Sequence, residues 1–74
     1  MTYYLHAYNS GYYGRSYCKT KRLAMDRAQA WCNLGGDRSA EISRKSKDKN
    51  GNKTEICICR YWVDCLGKLQ YLKY

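Results

Sequence analysis

One segment of this chain, Thr20 to Leu34, has helical periodicity, and that constrains the fold more than any other feature. At 100° steps Ala24, Ala28 and Trp31 fall in one narrow arc, flanked by Leu23 and Leu34. Arg22, Asp26, Gln29 and Asn33 lie opposite. Thr20 is placed to cap the helix, and Gly35-Gly36 to stop it. Everything else reads as strand or turn. One helix covers one face of one sheet, so the other face is left with nothing in this chain to pack on it.

The strands follow from alternation and turn chemistry. Tyr3 to Tyr8 is short, aromatic and alternating, and Asn9-Ser10-Gly11 is a turn signal. Tyr12 to Cys18 completes a hairpin, with Gly14 marking a bulge or a close approach. Arg38 to Lys47 and Lys53 to Val63 form a second hairpin around Asn50-Gly51, a dipeptide suited to a two-residue turn because both residues tolerate positive φ. In that register Ile42 faces Cys59, Ala40 faces Tyr61, and Arg44 faces Cys57. On the other face Glu41 meets Arg60, Ser43 meets Ile58, and Lys45 meets Ile56. After an Asp64–Gly67 turn, Lys68 to Tyr74 is expected to add a fifth strand, with a short terminal helix as the alternative. The fold class is α+β: an antiparallel four- to five-stranded sheet with one helix on one face, in the order β-β-α-β-β and then the C-terminal strand, all one basic domain over residues 1–74.

Seventy-four residues bury only ~60% of the surface their unfolded chain exposes, so the core is thin. Fourteen Lys and Arg oppose six Asp and Glu, a net charge of +8 that a body this small must display. Such a field attracts phosphates, acidic protein surfaces or anionic lipid, and it points to binding. Nine Tyr and two Trp, with no Phe, suit half-exposed positions and interfaces as well as strands. The opening Met1-Thr2-Tyr3-Tyr4-Leu5-His6 has no basic region followed by an apolar run, and no stretch approaches the ~20 apolar residues of a membrane span, so the expectation is a soluble, intracellular protein with no membrane contact. Five Cys, at 18, 32, 57, 59 and 65, are expected as reduced, mostly buried thiols. Cys57-Ile58-Cys59 lacks the gap of paired zinc ligands and has no second pair, so neither metal nor cofactor is expected.

Three constellations are candidates for binding a partner. Lys19, Lys21 and Arg22 put cations where the helix dipole favours anions, a local cost of ~0.3–1 kcal/mol per charge that an anion pocket would explain. Arg44, Lys45, Lys47, Lys49 and Lys53 surround the second hairpin turn, where a β-ribbon can follow a nucleic-acid backbone. The uncovered sheet face is expected to show Ile56, Ile58, Arg60 and Trp62, joined by Tyr4, His6 and Tyr8, if Cys57, Cys59, Tyr61 and Val63 take the narrow space under the helix. An apolar and aromatic patch of that kind fits a protein interface or a homodimer seam. Catalysis is not expected. His6 is the one histidine, with no carboxylate or nucleophile set beside it by a motif, and no glycine-rich phosphate loop is present.

The order of elements, the helix start Lys21-Arg22-Leu23-Ala24-Met25 and the closing Arg60-Tyr61-Trp62-Val63-Asp64-Cys65 resemble the small phage-encoded anti-CRISPR proteins with one helix on an antiparallel sheet, in particular a type I-F inhibitor of the Cascade surveillance complex. The resemblance spans most of residues 2–65. It implies a non-enzymatic inhibitor, acting in the cytoplasm of a bacterial host, whose basic surface occupies the path of target DNA on a CRISPR effector. Lys21 and Arg22 are the positions that match. The hairpin is more basic than in that family, and the residues after Cys65 have no counterpart there. The alternative function is direct nucleic-acid binding by a small phage regulator, while for the inhibitor nonspecific DNA is expected only as a weak secondary partner.

Overall fold

In the computed structural model, which describes residues 2–74, β1 (Tyr3–Asn9) and β2 (Tyr12–Cys18) form a hairpin and α1 (Lys21–Asn33) follows. β3 (Ser39–Lys47), β4 (Lys53–Val63) and β5 (Leu69–Lys73) complete the chain. The strands make one antiparallel sheet in the order β2-β1-β3-β4-β5. The α+β class and the element order are those expected from the sequence, and the C-terminal segment is a strand, not a helix.

α1 starts where Thr20 Oγ1 accepts the Leu23 N–H at 3.1 Å, and it ends where Gly35 and Gly36 take φ of 87° and 71°. Its buried stripe is Ala24, Ala28 and Cys32, seated over Leu5, Ala40, Ile42, Cys59 and Tyr61. This corrects the expected arc. Trp31 is only half-buried, where its Nε1 donates to the Tyr8 carbonyl at 3.0 Å, and Leu23 and Leu34 are exposed. Two alanines and a cysteine let the helix axis come close to the sheet. Leucines at the contact would hold it away. Gly14 is a close approach and not a bulge. It pairs in register with Ala7, and a Cβ on it would collide with the Tyr12 ring, which lies 5.6 Å from Trp31.

The β3–β4 turn departs from the expected two-residue form. Asp48 Oδ1 accepts the N–H groups of Asn50 and Asn52, each at 2.9 Å, and the Asp48 N–H donates to the Asn52 carbonyl at 3.0 Å. Gly51 has φ of 80°, while Asn50 does not take positive φ. The loop is thus Lys49-Asn50-Gly51, the longer hairpin connection with glycine in the left-handed position. Asp64 repeats it, accepting from Leu66 and Lys68 at 2.9 Å with Gly67 at φ of 80°.

The added loop residue shifts the register next to the turn. Lys47 pairs with Lys53, Lys45 with Glu55, Arg44 with Ile56 and Ser43 with Cys57. This replaces the expected Arg44–Cys57, Ser43–Ile58 and Lys45–Ile56 pairs. A bulge at Ile58 then restores the expected Ile42–Cys59, Glu41–Arg60 and Ala40–Tyr61 pairs. Since side chains alternate, one extra residue reverses the faces of 53–57 relative to 59–63.

The Asp48 and Asp64 carboxyls are held below their usual 3.8, chiefly by the backbone N–H groups of Asn52 and Lys68 respectively. A depressed folded pKa contributes stability above the unfolded value and loses it as pH falls through the folded one. The melting temperature should therefore hold down to about pH 4.5 and drop below about pH 4. Circular dichroism melts of Asp48→Ala/Asp64→Ala should show a shallower acid limb than wild type, and equal limbs would remove the turns from the acid response.

Candidate functional site

The face of the sheet away from α1 is built in rows across the strands. Tyr13, Tyr8, Ser39, Trp62 and Gln70 form one row. Arg15, His6, Glu41, Arg60 and Leu72 form the next, and Tyr17, Tyr4, Ser43 and Cys57 a third. Beyond them β3 and β4 continue as a ribbon with Lys45 opposite Glu55 and Lys47 opposite Lys53. The expected apolar patch is corrected here. The bulge turns Cys57 outward and Ile56 toward the helix side, and Ile58 packs against the core. The open face is mainly aromatic and polar, with Leu72 its exposed aliphatic residue.

Its centre is one connected network across four strands. Ser43 Oγ donates to Glu55 Oε1 at 2.9 Å, so His6 Nε2–H donates to Ser43 Oγ at 3.0 Å, and His6 Nδ1 shares a hydrogen bond with the Tyr13 hydroxyl at 2.7 Å. Arg15 Nη2 meets Glu55 Oε2 at 3.0 Å, with its guanidinium 3.9 Å above the Tyr4 ring. Burial works to raise the Glu55 carboxyl, but the Ser43 and Arg15 hydrogen bonds and the charges of Arg15 and His6 outweigh it and hold it below its usual 4.5. Burial also acts on Cys57. With the Glu41 carboxylate accepting from its thiol at 3.4 Å, the group is pushed up to about 11. Burial likewise raises the Tyr8 hydroxyl, with Glu41 adding to the shift.

Sequence reasoning missed this network, because its members are far apart in the chain and join only through strand pairing. Serine, histidine and carboxylate stand together, but in the wrong order to activate a nucleophile. The Ser43 proton is directed at Glu55, the imidazole donates to Ser43 instead of taking its proton, and Ser43 is 4% exposed. The group clamps the sheet.

The expected partner-binding residues divide between two sides. Lys45, Lys47, Lys53, Arg60 and Trp62 share the open face, with Arg60 5.6 Å over the Trp62 ring, and Lys49 sits in the loop at the ribbon tip. Arg44 follows Ile42 on the helix side and is half-buried. Lys19, Lys21 and Arg22 are exposed at the α1 start, and Lys21 is close enough to buried Cys59 to act on its thiol. The structure therefore does not join the helix cluster to the hairpin cluster. Cys57 and Cys59 point to opposite faces and cannot share an ion, and no group of His, Cys, Asp and Glu suited to a metal occurs among the described residues. No helix among them is long and apolar enough to cross a membrane.

Ser43→Ala removes the hydroxyl that joins His6 to Glu55 and should cost about 1–3 kcal/mol in urea denaturation, through the polar groups left unpaired. A change near zero would mean that water replaces the hydroxyl freely. In native protein at pH 8, iodoacetamide should label exposed Cys65 quickly and leave Cys57 and the buried Cys18, Cys32 and Cys59 unlabelled. Peptide mapping that finds Cys57 labelled as fast as Cys65 would contradict the Glu41–Cys57 contact.

No protein-family model matches the chain, and searches of curated proteins and of solved structures gave no match.

Proposed function

We propose that the protein is a non-enzymatic inhibitor that docks its basic surface on a bacterial CRISPR effector complex and blocks the path of target DNA. The observation that carries this reading is uncompensated charge. Of fourteen Lys and Arg, one makes an ion pair among the described residues, Arg15 with Glu55. Asp48 and Asp64 turn their oxygens to their own turns. The field therefore stays available to a phosphate backbone. The CRISPR effector as target comes from the resemblance, which matches Lys21 and Arg22.

A second reading, direct binding of nucleic acid by a small phage regulator, is favoured by one observation. Lys47 and Lys53 oppose each other directly on the ribbon, an arrangement that costs ~0.2–1 kcal/mol unless an anion lies between them. Both readings need a surface complementary to phosphate, and they differ in whether protein contacts add to it.

Surface plasmon resonance on immobilised type I and type II effectors tests the docking reading. Wild type should bind one of them tightly and prevent its capture of target DNA. Lys21→Glu/Arg22→Glu, on the rigid helix start, should speed dissociation and abolish inhibition. Neutralising Lys45 and Lys53 should mainly slow association, by roughly tenfold at low salt and less at high salt. Binding to none of the effectors would end this reading.

A further inference from the structure

We propose that the open sheet face is a binding site for a single-stranded nucleic acid, with bases stacked on Tyr8, Tyr13 and Trp62 and the backbone led along Lys45, Lys47 and Lys53. This rests on the second reading above, direct binding of nucleic acid, and deepens it by naming the face and the class of strand.

Ring placement comes first. Tyr8 and Tyr13 are cross-strand neighbours with centroids 5.2 Å apart and planes tilted by 37°, and His6 stacks on Tyr13, so the three rings form one aromatic cluster. Trp62 lies in the same row beyond Ser39, two strand spacings from Tyr8, which is about 10 Å. Ser39, the residue between them in the row, is small. Arg60, stacked on Trp62, adds a cation at that edge. Unpaired bases expose the π-faces such rings take up, and a duplex hides them.

Charge comes next. The two carboxylates on this face are already engaged, Glu55 by Arg15 and Ser43, Glu41 by the Cys57 thiol. The lysines are not. Because of the Ile58 bulge, Lys53 joins Lys45 and Lys47 on the aromatic side of the ribbon. From Ser39 to Lys47 the strand runs about 27 Å, which suits the short end of the 4–16 nucleotides typical of single-strand sites. Ser39 stands between the rings, and His6 and Glu41 in the row beside them, so the face lacks the continuous apolar centre of a stable protein interface.

Fluorescence anisotropy with labelled oligothymidine, its oligouridine counterpart and a duplex of equal length tests the proposal. Single strands should bind at least about tenfold tighter than duplex. Trp62→Ala and Tyr8→Ala/Tyr13→Ala should each weaken single-strand binding by about 5- to 100-fold, while Trp62→Phe largely retains it. Lys47→Gln/Lys53→Gln should lower the log–log salt slope by about 1.4, twice the 0.7 expected per phosphate contact on a single strand. Equal affinity for duplex and single strand, or unaltered binding by Trp62→Ala, overturns the proposal. So does a wild-type dimer in sedimentation that Trp62→Glu converts to monomer, since the face would then belong to a second copy. The same variants on immobilised effector separate the two claims. Trp62→Ala that releases oligonucleotide as wild type does, yet still captures effector, overturns this site alone. Wild type that binds oligothymidine and no effector overturns the docking reading alone.

Discussion

The close seating of one helix on one sheet is the constraint on which this structure rests. Ala24, Ala28 and Cys32 of α1 are fully buried, and so are Ala40 and Ile42 beneath them. Small residues on both sides of the contact bring the helix axis near the sheet, and the fully buried set includes few large side chains. Such a core is sensitive to added volume, because close-packed interiors have little room to adjust. All of the helix cover goes to one face. The other face must be held by means that tolerate water.

The polar network supplies that hold. Tyr13, His6, Ser43, Glu55 and Arg15 tie β2, β1, β3 and β4 together through directed bonds on the face that has no layer packed over it. Arg15 and Glu55 are partly exposed, so their charge interaction is screened and weak, and the buried Ser43 hydroxyl is the costlier element to lose. The network also occupies a carboxylate that would otherwise repel an anionic partner. Stability and the proposed preference for an anionic ligand thus draw on the same side chains.

The two aspartate turns and the Ile58 bulge settle which surface the protein presents. Asp48 accepts two backbone N–H groups and so favours the longer loop over the two-residue turn that Asn50-Gly51 suggests. That loop moves the ribbon by one residue, and the bulge moves the pairing back before the core pairs are reached. The core register is unaffected. Between the two offsets, Lys53, Glu55 and Cys57 change sides, and an aliphatic patch of Ile56, Ile58 and Trp62 becomes a polar, aromatic and cationic one.

The sequence by itself determined the number and order of elements, the helix cap and stop, the antiparallel pairing around Ile42 and Cys59, and the excess of positive charge. These depend on local periodicity, turn residues and composition, all of which act over a few neighbours. Tertiary structure alone decided the rest. The helix stripe settled on Cys32, with Trp31 half-buried against the edge of the core and Leu34 exposed, because the sheet admits only small side chains beneath the axis. The His6–Ser43–Glu55 junction needed three strands to be aligned before its members met. The sides of Lys53 and Cys57 depended on a bulge that no local signal at Ile58 announces, because a one-residue slip leaves the alternating pattern of each half intact and reverses only their relation.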